Sequence, residues 1–360
     1  MSATQSRYAI GGSFELDSIS LGPPEQLSVL VGERKGSWTV SGRAAFELLL
    51  RHLQSKGARH VHLPSYLCES VLLPIRALGM DMSFYPVDKH LNGYPDPPSD
   101  AVVVVIHYFG WENRCIDALR ANAGQGYYLV EDLSHGLMSA WSSSADVSEL
   151  VFFSARKLGP VSLGGWCSIE VELDRPSVEI EGLAWRSLAA RLARAQYLSK
   201  LDAQVDPAIE AFYLEAFAAV EEHLDSHPLI SALPQVVLDI LSGLDWHDIA
   251  ARRRSNWLQL HDLLSRHVEL PIEELPADVV PLGYLVRLQD RDRIRKALAA
   301  QRFFCPVHWP LASEVSKKGF PDAGLLARSC LTLPIDQRYG PKDMMRMSSA
   351  LRGELQRHAC

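Results

Sequence analysis

Ala101-Val102-Val103-Val104-Val105-Ile106 is an unbroken, almost wholly β-branched run with no polar alternation. A strand that shows one face to water alternates polar with apolar residues, so this one is covered on both faces. Such a strand belongs to a parallel sheet with helices on each side, which makes the chain α/β. His107-Tyr108-Phe109-Gly110 follows at its C-terminal end, where open α/β sheets bind ligands. The neighbouring stretches fit the same layout. Upstream, Trp38-Thr39-Val40-Ser41-Gly42-Arg43 opens a helix whose apolar positions Ala45, Phe46, Leu48, Leu49, Leu50 and Leu53 leave Glu47, Arg51 and Gln54 outside. Arg59 to Leu63 is a short strand, followed by Pro64-Ser65-Tyr66, a helix to about Ala77 and a strand from Met82 to Val87. Downstream, Cys115 to Asn122 is helical, and Tyr127 to Val130 and Leu150 to Phe153 are strands.

Two of these strands end in ionisable residues. Val130-Glu131-Asp132 closes one, and Ser154-Ala155-Arg156-Lys157-Leu158-Gly159-Pro160, running on to Gly164-Gly165, leaves the other. Lys157 comes off a buried strand onto a loop, where desolvation lowers the pKa of an amine. Only a neutral amine attacks an aldehyde. With Asp132, this lysine forms the pair that pyridoxal phosphate (PLP) needs. The lysine holds the aldehyde carbon, and the acid keeps the pyridine nitrogen protonated so that the ring serves as an electron sink. Ser41-Gly42 before a helix suits a phosphate, because free N–H groups and the positive end of the helix dipole both point there. The bland readings stand beside these: Ser41 as a plain helix cap, His107 as a structural histidine, Asp132 as a cap, and Ser154 bonded within its own loop.

Six pieces fall in one order along most of the chain. They are Ser41-Gly42-Arg43-Ala44-Ala45, Leu63-Pro64-Ser65-Tyr66, His107-Tyr108-Phe109-Gly110, Glu131-Asp132-Leu133-Ser134-His135, the lysine stretch and Leu333-Pro334-Ile335. In them the chain resembles fold-type-I PLP enzymes, and within these the DegT-like sugar aminotransferases. The resemblance implies a large domain with a mostly parallel central sheet sandwiched by helices, plus a small C-terminal α+β domain. It implies PLP as cofactor, Lys157 and Asp132 as catalytic residues, and Ser41, Gly42, Arg43, Tyr66, His135 and Ser154 around the cofactor. It further implies a homodimer that moves an amino group from glutamate or glutamine to a nucleotide-linked keto-sugar. The expected substrate contacts are His107, Tyr108, His308, Trp309 and Arg328. Of these, Arg328 stands roughly where amino-acid aminotransferases keep a carboxylate-binding arginine.

The chain also departs from that family. Arg43 replaces a small hydroxyl residue; its guanidinium either binds phosphate or turns outward and leaves the work to backbone. Cys68 stands four residues after Pro64, where many relatives place an aromatic ring over the cofactor; either Tyr66 supplies the stacking face instead or a smaller side chain sits over the ring. Phe152 replaces a serine five residues before the lysine, while Ser154 matches the phosphate-binding serine of other fold-type-I enzymes. Arg156 either binds phosphate or lowers the amine pKa by like-charge repulsion. A helical stretch from about 181 to 225 lacks the Gly-x-Asn-x-Arg segment by which many relatives reach the neighbouring subunit. The alternatives are a PLP aminotransferase or lyase acting on a non-sugar keto or amino compound, and a PLP-binding regulator. Sugar dehydratases of the family carry histidine in place of Lys157. A regulator would need a DNA-binding module before Ser41, and the expectation is that there is no room for one.

At 360 residues and 40.0 kDa the chain has length for two domains. The expected division is an arm over 1–36, rich in Gly, Pro and Ser, a large domain over 37–247 and a small one over 248–360. The small domain should hold a bridging helix (Ile249, Trp257, Leu258, Leu260, Leu263), strands Val279 to Leu288 and Cys330 to Ile335, and helices over about 290–301 and 341–356. A net charge of -7 gives no footprint for nucleic acid, and Arg252-Arg253-Arg254 reads as a solvated helix face. Six scattered cysteines without C-x-x-C or metal spacing suggest thiols of a reducing compartment and no metal site. Met1 to Tyr8 carries no apolar signal core, and the longest apolar run is too short for a membrane span. A cytoplasmic enzyme is expected.

Overall fold

The structure, a computed structural model, describes residues 9–20, 22–139, 148–199, 206–226, 230–316 and 318–357. Met1 to Tyr8 of the expected arm, residues 200–205 of the expected long helix and Cys360 lie outside the described residues. After β1 (Ile10–Gly11) and a one-turn helix α1 (Ser28–Val31) come β2 (Ser37–Thr39), α2 (Gly42–Ser55), β3 (His60–Pro64), α3 (Leu72–Ala77) and β4 (Asp81–Tyr85). Then follow β5 (Ala101–Ile106), α4 (Ile116–Asn122), β6 (Tyr127–Asp132), β7 (Leu150–Ser154) and β8 (Gly165–Cys167).

Strands β2 to β8 form a seven-stranded sheet in the order β2-β8-β7-β6-β5-β3-β4. The pairs from β7 through β4 are parallel, and β8 and β2 add an antiparallel edge. All six residues of β5 are buried. Val102 and Val104 pack into a cluster with Leu49, Leu50 and Leu63, whereas Val103 and Val105 pack on Ile116 and Leu119 of α4. Both faces are therefore covered, as the missing polar alternation requires. Register places Ile106 beside Asp132 and Asp132 beside Phe152, so β5 and β6 end level, β7 runs on to Ser154, and the three exits share one edge of the sheet.

Ser41 caps α2 by accepting from the Ala44 amide (3.1 Å). Burying Leu49, Leu50 and Leu53 on this helix contributes about 1.5–3 kcal/mol each. Glu47, expected outside, is buried instead and takes both Nε (3.0 Å) and Nη2 (2.7 Å) of Arg51. A carboxylate one turn before an arginine is neutralised locally, so an apolar wall can close over it.

The expected long helix is a pair, α5 (Val178–Ser199) and α6 (Pro207–Ser226), packed on each other and followed by α7 (Gln235–Ser242) and α8 (Trp246–Leu264). Beyond them, β9 (Tyr284–Arg287) leads to α9 (Arg291–Ala300), β10 (Phe303–Phe304), α10 (Ser313–Ser316) and α11 (Pro321–Ser329). The chain closes with β11 (Cys330–Leu333), which runs antiparallel to β9, and α12 (Pro341–Gln356). Both long strands expected here are shorter than their apolar runs. α8, α9, α12, β9 and β11 share an apolar cluster with Ile10 of β1. Strand β1 pairs in parallel with β10, so the described end of the arm lies on this C-terminal part.

The arginine triplet is not a solvated face. Arg252 is exposed and pairs with Asp248 (2.7 Å). Arg254, however, donates to the carbonyl of Pro276 (2.7 Å), and Arg253 is 1% exposed and donates to that of Leu282 (2.9 Å). The irregular backbone beside α8 has carbonyls that need donors, and these two arginines supply them. No helix among the described residues is long and apolar enough to cross a membrane.

Candidate active site

The neighbouring C-terminal ends of β5, β6 and β7 bring Asp132, His135 and Lys157 to one edge of the sheet. Asp132 is the last residue of β6, buried, and accepts from the Ser134 amide (2.8 Å). Burial pushes its carboxyl pKa up, against the pull of Ser134, Lys157 and His107. Lys157 ends the turn that leaves β7, and its Nζ lies 3.2 Å from His135 Nε2 and 5.3 Å from the centre of the Trp309 ring. Burial holds the Lys157 amine below its ordinary range, aided by Arg156 and opposed by Cys68 and Asp132.

The His135 ring fixes which partner carries the proton. Its Nδ1 accepts from the Phe109 amide at 3.2 Å, so the neutral ring keeps its hydrogen on Nε2. Burial holds the His135 pKa well below the usual range, with Lys157 and His308 adding to the shift. Nε2–H therefore donates toward Lys157, and only an uncharged amine has the lone pair to accept. Phe109 aims its N–H by adopting a left-handed conformation (φ 57°), which is costly for a residue with a Cβ. Gly110 next to it (φ 110°) is required to be glycine, because a Cβ there would lie 2.3 Å from the Val280 carbonyl oxygen.

Ser41, Gly42 and Ser154 line one cleft with Asp132 and Lys157. The start of α2 presents its amides there. Ser154 is 6% exposed, and its buried Oγ has no hydrogen-bond partner. A Cβ on Gly42 would come within 2.9 Å of Ser154 Cβ, and one on Gly165 within 2.1 Å of the Ser41 carbonyl oxygen. This is a cradle kept open by glycine, with an unsatisfied donor inside it, and it suits a phosphate. At the far end Asp132 is a desolvated acid, suited to a protonated ring nitrogen. The residues present thus fit PLP. Arg43 and Arg156 line the same cleft but are held by carboxylates of α6, Arg43 by Asp225 (2.5 Å) and Arg156 by Glu221. Arg43 thus turns to α6, and the cradle itself is backbone and serine.

Four expected contacts lie elsewhere. His107 is sealed in the core, with Nε2 2.8 Å from Glu131 and Nδ1 accepting from the Asn113 amide (3.1 Å); both nitrogens are used, so it is structural. Tyr108 spends its hydroxyl on the Tyr66 carbonyl, and Tyr66 spends its own on the His308 carbonyl. Both tyrosines are buried and pack against Trp309 (ring centres 6.4 and 5.6 Å). They support that ring, and Tyr66 offers no stacking face to the cleft. Arg328 lies in the last turn of α11, exposed, and borders a separate groove with Glu269 and Arg293.

His308 and Trp309 do reach Lys157. Trp309 lines the cleft and stacks on His135 (5.2 Å, 25°). His308 sits with Lys157 in a second cavity, bonded through Nδ1 to Thr332 Oγ1 (2.9 Å). Burial holds its pKa at about 3, and a proton on Lys157 would press it the same way. That second cavity also contains Arg253. In sequence it reads as part of a solvated face, and the available signal is its helical spacing, four residues from Ile249 on one side and from Trp257 on the other.

No family model matches the chain, and no curated protein matches it. Its fold is that of solved aminotransferase structures. A candidate sugar aminotransferase, Spr1654 from Streptococcus pneumoniae, in its PMP form, superposes with a TM-score of 0.69 at 14% identity over 97% of this chain and 98% of that one. The sugar aminotransferase CalS13 from Micromonospora echinospora gives 0.64 at 16% over 94% and 99%. DesI, solved in the presence of its TDP-sugar product, gives 0.65 at 16% over 99% and 95%.

Proposed function

We propose that this chain is a PLP-dependent aminotransferase that moves an amino group from glutamate or glutamine to a keto-sugar, nucleotide-linked, with Lys157 as the residue that binds the cofactor covalently. The observation that carries the reading is the His135–Lys157 contact, in which a tautomer fixed by the Phe109 amide leaves Lys157 uncharged. A neutral amine at the edge of a phosphate cradle, opposite a buried acid, is the set PLP requires. PLP, when bound, supplies an electron sink for negative charge at the substrate carbon.

Ser41, Gly42 and Ser154 would bind the phosphate, and Asp132 would hold a proton on the ring nitrogen. His135 would donate from Nε2 and orient the amine. Lys157, once released, would carry the proton between the substrate Cα and the cofactor's C4′ as base and then acid. Trp309 would exclude water from the amine. The sugar reading is supported by the shared fold with CalS13 and DesI. We infer a homodimer from apolar residues that α5 and α6 leave outside, Trp185 (57% exposed) and Leu214 (54%). The division at 36 and 247 and a cytoplasmic location belong to the same proposal.

The purified protein should be yellow with PLP, and borohydride should fix the cofactor on Lys157. Glutamate or glutamine should discharge the colour, and keto-sugars should restore it faster than 2-oxo acids other than the donor's own product. Colourless protein that takes up no PLP would overturn the reading. Restoration by pyruvate and by no keto-sugar would move the activity to amino acids.

A further inference from the structure

The cleft with the phosphate cradle and the second cavity, of about 190 Å³, have one lining residue in common, Lys157. A substrate that must reach the lysine with the cofactor already in the cradle has this second cavity as its approach. Two arginines border it. Arg338 is already neutralised, with Nε 2.7 Å from Asp336 Oδ1 and Nη1 2.7 Å from Glu15 Oε2. Arg253 is not. Among the described residues no carboxylate lies within ion-pair distance of it; Nη1 donates to the Leu282 carbonyl (2.9 Å), and Nε is buried with no partner.

A guanidinium that is 1% exposed has lost its hydration, and Asp336, the carboxylate whose charge reaches it, is already paired with Arg338, so an incoming anion would be stabilised there. Because Nη1 is spent on backbone, the fork left to it is the Nε–Nη2 edge, which matches two carboxylate oxygens. We propose that Arg253 binds the α-carboxylate of the amino donor, so that the donor's amine faces Lys157. This rests on the aminotransferase reading, and it replaces Arg328 in the role expected from sequence. Thr332 and His308 line the same cavity, and the other arginine there, Arg338, is taken by Asp336 and Glu15.

The test is calorimetric titration of the purified protein with 2-oxoglutarate, which carries the α-carboxylate but no amine. Arg253→Gln should weaken binding on the order of 100-fold, the loss of a charge-assisted bidentate pair. Arg253→Lys, which keeps the charge without the fork, should fall between. PLP uptake should be unchanged in both variants. In the amine half-reaction, the wild-type preference for glutamate over 4-aminobutyrate, its analogue without the α-carboxylate, should collapse in Arg253→Gln. Should Arg253→Gln fail to fold, Arg253→Lys gives the same comparison. An unchanged affinity for 2-oxoglutarate, or equal losses with glutamate and 4-aminobutyrate, overturns the proposal. Arg253-dependent binding in a protein that takes up no PLP would keep the carboxylate site and remove the aminotransferase reading.

Discussion

At the scale of the residue, the site depends on where one hydrogen sits. The Phe109 amide occupies His135 Nδ1, so the ring can only donate from Nε2 toward Lys157. A hydrogen bond to the neutral form of a group favours that form, so His135 adds to what burial already does to the lysine. Replacing His135 with Leu removes the donor, and the amine pKa should rise. PLP uptake follows the fraction of neutral amine, so its pH profile should move to higher pH in His135→Leu, with slower loading at pH 7. His135→Gln retains an N–H and should restore the profile. Stopped-flow loading across pH 6 to 10 reads this directly. A profile in His135→Leu that stays put, or moves toward acid, would show that the contact does not tune the amine.

At the scale of the element, β6 does two jobs on its two faces, because neighbouring strand residues point opposite ways. Asp132 faces the cleft. Glu131 faces the other side, where it accepts from Arg120 (Nε 3.0 Å, Nη2 2.8 Å), His107 (2.8 Å) and the Ser148 amide (2.8 Å). Burial alone would raise the Glu131 pKa, yet the bonds from His107 and Arg120 hold it well below the usual range. Removing one partner of such a buried pair costs about 3–5 kcal/mol. Glu131→Gln should lose stability on that scale in urea unfolding, and Asp132→Asn far less; equal losses would mean that the network does not anchor the strand end. This network also marks what the sequence could disclose. β5, the ends of β6 and β7, Ser41 as a cap and the Asp132–Lys157 pair are local patterns, and they were legible. His107, Glu47, Arg253 and Arg328 were not, because each depends on what a distant element brings. Glu131 buries His107, the helix core covers Glu47, the Leu282 loop takes in Arg253, and nothing covers Arg328. Tyr66 and Tyr108 follow the same rule, since each turns its hydroxyl to a backbone carbonyl that only the folded chain puts in reach.

At the scale of the whole molecule, buried histidines make the fold acid-sensitive. His308 is held at about 3 chiefly by burial, and His62 at about 4 by burial and His60. His135 is also held well below the ordinary value. All three are depressed from 6.5, so below pH 6.5 the unfolded chain takes up protons that the folded chain refuses. Their contribution to stability is fully present above 6.5 and is lost as pH falls through the window down to the folded values. Lys157 acts with the same sign from higher pH. Asp132, raised by burial, acts with the opposite sign, in the carboxyl range. Unfolding free energy should therefore decline steadily from pH 7 to pH 4. One proton per site corresponds to a slope of at most about 1.4 kcal/mol per pH unit. His308→Gln removes one such site while keeping a group that can bond Thr332, so the decline should become shallower by up to that amount. Urea unfolding of the wild type and His308→Gln at pH 7, 5.5 and 4.5 measures the difference. Parallel curves for the two proteins would mean that His308 takes up its proton equally in the folded and unfolded states, and that the cavity beside Lys157 is wetter than its burial implies.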